Sequence, residues 1–393
     1  MFKKLYQKTL VSVVFSLMTW VQIHAVNHRD CRDPCPPRAW GSAEYLYWQL
    51  KDSPATVPLV VSGPVVASGS PVLGKPGTKV VLGGKVHDND FRSGGRLALG
   101  YWFDNRQLLG GEINYFFLGG RTKTESVSSS GQKGTRFLTL PYINAVTDVE
   151  SSTPIALPGL FAGTAVLKVS NNMQGAEANC VIKFDTNCYD LNVLTGFRYL
   201  YFKEVLKFET NSPFVVPPID IFNTTDRFLA QNNFYGGQMG FDGKYYWKQV
   251  FIRALGKVAV GAMIENVSIQ GNLVTNDFDG LGAPETIPAG YFAMSTNKGN
   301  HKRTRFACVP EFGISLGYQI FETLSMQVGY TGLWVSEVVW ASNQIDRKIN
   351  PSQAPAISGN DSTTVIGKKR PKALFKTECL WAQGLTVGLD FIY

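Results

Sequence analysis

Four histidines, six cysteines and a few glycine pairs are the residues of this sequence that could carry bond-making chemistry. A nucleophile needs a base beside it, most often histidine. His24, His28, His87 and His301 fall in leader, tail or loop segments, away from any alternating strand with a candidate serine or aspartate. They read as solvated side chains, and no enzymatic activity is expected. Cys31-Arg32-Asp33-Pro34-Cys35 has no second Cys or His pair nearby, so the four-ligand pattern of a zinc site is missing, and no metal or other cofactor is expected. Gly236-Gly237-Gln238-x-Gly240 and Gly83-Gly84 lack the strand–loop–helix setting of a phosphate loop; strand and turn glycines explain them.

The cysteines read instead as disulfide candidates. Cys31, Cys35, Cys180, Cys188, Cys308 and Cys379 all follow an export signal, which implies an oxidising compartment. Cys180 and Cys188 flank a turn and could bridge neighbouring strands. Cys31 with Cys35 would close a small loop or pair with another chain. Spacing does not choose among the pairings.

Charge is the remaining chemical resource. Arg96, Glu112, Asp190, Arg198, Asp242, Lys244, Arg253, Lys257, Glu265, Glu311 and Asp390 occupy the polar face of alternating stretches, five basic and six acidic. Brought together, they either neutralise one another in a narrow interior or line a pore for small polar solutes. Arg96 and Arg198 are expected to meet Glu112 and Asp190, the nearest acids on the same face.

Strands must position these groups, since side chains alternate between the two faces of a strand. Phe312-Ile314-Leu316-Tyr318-Ile320 interleaves with Glu311-Gly313-Ser315-Gly317-Gln319, and Leu385-Val387-Leu389-Phe391-Tyr393 with Thr386-Gly388-Asp390. Leu97-Leu99-Tyr101-Phe103, Ile113-Tyr115-Phe117 and Met326-Val328-Tyr330 repeat the pattern. Ten strands are predicted, at 42–51, 93–103, 107–121, 171–184, 188–209, 231–246, 251–270, 303–319, 323–341 and 378–393. A further hairpin within 57–82 would make twelve.

A soluble sandwich would bury the greasy face between two sheets. A membrane barrel turns it to lipid and keeps the polar face inside. Aromatics near strand ends (Tyr45, Tyr47 and Trp48; Tyr101 and Trp102; Tyr245, Tyr246 and Trp247; Trp334 and Trp340) favour the barrel, as interface girdles. So does loop parity. Turns at 104–106, 185–187, 247–250 and 321–322 are short, whereas 52–92, 122–170, 210–230, 271–302 and 342–376 are long and polar. The expectation is all-β: one transmembrane, up-and-down antiparallel β-barrel with short periplasmic turns and long extracellular loops. The loop 122–170, being longest, is the candidate constriction.

Composition agrees. Charged residues make up 17% of the 393, against 25 Phe, 16 Tyr, 8 Trp and 39 Gly. That is too apolar for disorder and too poor in helix formers for a bundle. Three units of the +8 net charge belong to Lys3, Lys4 and Lys8. No basic run follows, so nucleic acid is not an expected partner. Residues 1–25 read as a signal peptide cleaved near Ala25, with a basic start and an apolar stretch too short to span a bilayer. Residues 26–40 follow as a periplasmic tail, and 41–393 as the barrel domain. The ending Thr386-x-Gly388-x-x-Phe391-x-Tyr393 resembles the terminal-strand signal read by the bacterial barrel-insertion machinery.

At the level of whole motifs, the chain resembles the putative beta-barrel porin-7 family of bacterial outer-membrane proteins. The resemblance rests on Ala43-Glu44-Tyr45-Leu46-Tyr47-Trp48, Ser93-Gly94-Gly95-Arg96-Leu97, Leu99-Gly100-Tyr101-Trp102, Gly196-Phe197-Arg198-Tyr199 and Asn233-Phe234-Tyr235-Gly236-Gly237-Gln238. It implies an outer-membrane porin and brings no catalytic residues. The expected partners are outer-membrane lipid, the insertion machinery and small hydrophilic solutes crossing by passive diffusion. The alternative is a closed structural or surface-interaction barrel. Solute and oligomeric state are not encoded in any motif.

Overall fold

Ten strands in which every second residue is apolar pair edge to edge in the computed structural model, and the ring closes on itself. Described are residues 38–54, 56–64, 69–84, 90–185, 189–214, 222–276, 283–358 and 367–393. The expected signal peptide and nearly all of the tail lie outside them; Ala39 and Trp40, assigned to the tail, open the first strand.

The ring runs β1 (Ala39–Leu50), β4 (Arg92–Trp102), β5 (Leu109–Ser129), β8 (Gly163–Asp185), β9 (Tyr189–Asn211), β10 (Phe222–Trp247), β11 (Val250–Asn276), β13 (Gly299–Phe321), β14 (Leu324–Val339) and β16 (Thr377–Ile392). Each neighbouring pair is antiparallel, including β16 with β1. The strand count is ten. Residues 57–82 do form a hairpin, β2 (Pro58–Gly63) with β3 (Lys79–Gly83), but it joins a separate sheet with β6 (Phe137–Asn144), β7 (Glu150–Ala156) and β15 (Lys348–Ile349). A short β12 (Pro284–Ile287) extends β11.

The greasy sets Leu97-Leu99-Tyr101, Ile113-Tyr115-Phe117, Phe312-Ile314-Leu316-Tyr318 and Leu385-Val387 are all exposed on the outside of the ring. A sandwich would bury them; a bilayer accepts them, which also disposes of a soluble fold. Among the aromatics, Tyr45, Tyr47, Tyr101, Tyr245, Trp247 and Trp334 face outward. Trp48, Trp102 and Trp340 do not belong to the girdle. They are buried inside, and Tyr246 lines the lumen.

Several strands far exceed the 9–11 residues that cross a bilayer, β11 reaching 27. Along them the apolar parity reverses. On β11, Ile252, Val258 and Val260 are exposed outside, whereas Met263, Val267, Ile269 and Leu273 are buried inside. Below the switch the strand faces lipid; above it, the barrel wall is built like a water-soluble protein, dry inside and polar outside. Residues 122–170 are accordingly no open loop, and Leu138, Leu140 and Tyr142 pack in one buried cluster with the inward-facing Phe208 and Phe228 of the upper barrel. The segment lengthens β5 and β8 and supplies β6 and β7.

Candidate functional site

The interior is layered along the barrel axis. Nearest the short turns lies a cavity of about 210 Å3 whose wall includes Trp40, Trp102, Asp190, Lys244, Tyr246 and Ser325. Gly100 makes room there: a Cβ on it would meet the Trp40 ring at 2.1 Å. Asp190 accepts from Tyr246 OH at 3.2 Å, and Lys244 pairs with Asp390 across the ring at 2.9 Å. Arg253 forks onto Asp242 through Nε and Nη2, each at 2.8 Å. The bidentate geometry makes this the strongest kind of ion pair. Glu112 accepts from Asn179 at 3.5 Å.

Glu44, Arg96 and Lys257 reach the inner end of this cavity, and beyond them the charges lock together. Arg96 Nη2 donates to Glu311 Oε1 at 2.8 Å, and its Nη1 lies 3.5 Å from Glu44. Arg198 pairs with both Glu311 and Glu177, its Nε 3.1 Å from the latter. Lys257 Nζ donates to Glu177 at 2.8 Å, and Gln238 adds a further donor at 3.0 Å. The chain Glu44–Arg96–Glu311–Arg198–Glu177–Lys257 thus draws on β1, β4, β13, β9, β8 and β11, on opposite walls. The side chains of Arg198, Glu177 and Glu311 are 0–3% exposed. At that burial each charge depends on its partners, because water is not there to replace them.

Arg96 and Arg198 therefore do not meet Glu112 and Asp190, as proximity in sequence suggests. Their partners are Glu44, Glu177 and Glu311. Glu265, also predicted on the inner face, is buried higher up and pairs with Arg303 at 2.6 Å.

Above the charges the interior turns apolar. Leu46, Trp48, Phe116, Phe202, Phe234 and Trp340 belong to one buried cluster. Arg96 lies over the rings of Trp48 and Phe116, 5.4 and 5.7 Å from their centroids, so the two layers share a cation–π boundary. Buried carboxylates and amides then tie segments over the mouth. Asp226 accepts the backbone N–H groups of Tyr291, Phe292 and Ala293 at 3.0, 2.9 and 2.7 Å. Asn232 exchanges two hydrogen bonds with Val339, and Glu204 accepts from Ser342 N. Sequence reading missed Asp226, Glu204 and Asn232; Glu204 and Asn232 share the parity of Arg198 and Asp242 within the expected strands, and Asp226 lies in what was read as a loop.

Of the other candidates, Thr386 and Gly388 sit on the inner side of β16, Thr386 accepting from Trp48 Nε1 at 3.2 Å. Phe391 and Tyr393 are exposed. His301 lies on β13, not in a loop, with Nε2 2.8 Å from Asn297 O; His24, His28 and His87 lie outside the described residues. Cys180, Cys308 and Cys379 are free thiols. Register sets Cys180 opposite Thr195. Cys188, like Cys31 and Cys35, lies outside the described residues. Among the described residues no group of three or more His, Cys, Asp or Glu is placed to hold a metal ion.

A family model described as putative beta barrel porin-7 matches residues 40–393. No curated protein matches. Among solved structures, the outer membrane protease OmpT from Escherichia coli aligns with 8% identity over 93% of this chain and 100% of its own, at a TM-score of 0.44. A Pseudomonas aeruginosa FadL homologue aligns with 9% identity over 91% and 90%, at 0.21. The Ralstonia pickettii toluene transporter TbuX aligns with 8% identity over 91% and 90%, at 0.17.

Proposed function

The chain belongs to the putative beta barrel porin-7 family, and from that premise we propose that this porin-like barrel of the bacterial outer membrane stands closed. Its task is then to hold the β2–β3–β6–β7–β15 sheet at the cell surface as a contact face, with no catalytic step. One observation carries the reading: the ion-pair chain from Glu44 to Lys257 crosses the lumen with its central groups almost wholly buried. Passive diffusion of small hydrophilic solutes, the function the family name suggests, would require Arg198 to release two carboxylates and a solute to pass Trp48 and Trp340. A ten-strand ring is only slightly wider than the eight-strand barrels that side chains fill completely.

Conductance of the refolded protein in planar bilayers tests the proposal. The expected trace is flat at moderate voltage. Steady ohmic steps from wild-type protein would overturn it and restore the diffusion reading.

A further inference from the structure

The outer wall of the barrel differs from one side to the other just above its apolar belt. On β9, β10, β11 and β13 the belt ends at Tyr199, Tyr235, Ala262 and Phe306, which are cross-strand neighbours. The Tyr199 and Tyr235 rings lie 5.1 Å apart, and Phe306 is largely exposed. Two rows further toward the long loops, register lines up Asn172, Lys203, Gln231, Asn266 and Lys302 across five strands, all pointing outward. Next above come Ser170, Val205, Leu229, Ser268 and Asn300, then Lys168, Lys207 and Arg227. A shallow groove runs through this wall between Gln231, Asn266, Asn300 and Lys302, with Tyr235 and Ile264 at its membrane edge.

The charge on this wall is one-sided. None of these outward positions is acidic; Glu209, one row further up beside Val166 and Thr225, is held by Lys207 at 2.7 Å. Lys168, Lys203 and Lys302 have no ion-pair partner among the described residues. Elsewhere around the rim, Lys51 pairs with Glu378 and Arg121 with Asp90. Lys203 stands four residues beyond Tyr199, roughly 10 Å above the belt after strand tilt, the depth of a lipid headgroup.

We propose that this wall binds a phosphorylated, hydroxyl-bearing lipid of the outer leaflet. Lys203 and Lys302 hold the phosphate, Gln231, Asn266 and Asn300 take headgroup hydroxyls, and the acyl chains lie against Tyr235, Val260 and Phe306. The amide side chains matter because each offers both a donor and an acceptor, which hydroxyls need and a bare cation patch does not supply. The inference stands whether the lumen is open or closed.

Native mass spectrometry of the full chain in neutral detergent tests it, with a diphosphorylated glucosamine lipid, phosphatidylcholine and inorganic phosphate as separate probes. Wild-type protein should retain the phosphorylated glycolipid over phosphatidylcholine, and inorganic phosphate should not displace it. K203Q/K302Q should lower retention roughly thirtyfold, with about 1 kcal/mol of surface attraction lost per lysine. K203R/K302R should restore it, and K248Q, at the opposite rim, should leave it unchanged. Equal retention of the two lipids by wild type overturns the proposal, as does undiminished binding by K203Q/K302Q that migrates as folded barrel. Displacement by inorganic phosphate overturns the lipid assignment. If K203Q/K302Q does not fold, wild-type retention must still weaken as ionic strength rises; insensitivity to salt overturns the proposal as well.

Discussion

Arg198 is the residue on which the interior charges converge, held between Glu177 and Glu311 with 1% of its side chain exposed. Cutting it to alanine leaves two buried carboxylates sharing Lys257 and Arg96. Arg198→Ala should therefore lower the free energy of unfolding by about 3–5 kcal/mol. Urea midpoints followed by tryptophan fluorescence measure this; a loss of about 1 kcal/mol or less, as for a solvated pair, would mean that water enters the layer. Asp104, in the β4–β5 turn, is the opposite kind of acid. It is only half-buried, and the N–H groups of Leu109, Leu108 and Arg106 hold its carboxyl below the usual aspartate range, Leu109 foremost. A depressed native value means the stabilisation is present above the unfolded-state value near roughly 4 and fades as pH falls through the native one. Wild type should thus exceed Asp104→Ala in urea midpoint at neutral pH, and the gap should narrow in acid. A gap independent of pH would assign the turn's stability to its backbone alone.

At the scale of the strand, facing decides tolerance. Leu316 is 60% exposed toward lipid, so Leu316→Arg should cost about 2–4 kcal/mol if it lies near the midplane. Ser42 lines the cavity opposite Asp390, and Ser42→Arg should cost far less. Equal yields of folded, heat-modifiable barrel from both would contradict the assigned facing. Thr386 shares the inner face but is no such tolerant site, since Trp48 and Thr331 pack onto its hydroxyl. This difference marks what could be read in advance. The ten strands were legible because lipid selects apolar side chains on one parity. Several strand ends above the bilayer were not, because there the preference reverses: Leu167 and Val169 on β8 and Phe228 and Ala230 on β10, all buried, take the opposite parity from the exposed Ile182 and Met239. Glu44 was hidden in the same way, beside Leu46 and Trp48, which make both faces of β1 look greasy. Glu177 was hidden among Gly175, Ala176 and Ala178, whose small side chains give no alternation to see. Partners across the lumen depend on how the ring is staggered, which no single strand records.

For the molecule as a whole, the charge layer and the outer sheet are two separate obstructions, and they can be told apart. Excising residues 132–160 removes β6 and β7 yet leaves Ser129 and Gly163 paired at the end of the β5–β8 hairpin. The shortened barrel should still insert, keep its heat-modifiable mobility and remain silent in planar bilayers. Conductance appearing on excision would place the seal in the sheet instead. The ring itself is sealed by β1 against β16, from Trp40 opposite Ile392 to Leu50 opposite Ala382, with Arg38 and Ala39 donating to the Tyr393 carbonyl at 3.0 and 2.8 Å. Such a seam joins the most distant parts of the chain, so it forms slowly and cannot form while any strand between is missing. Until it does, β1 and β16 each present a bare edge able to template a second copy. Time is thus the hazard built into this architecture: both edges stay open until one late event latches them together.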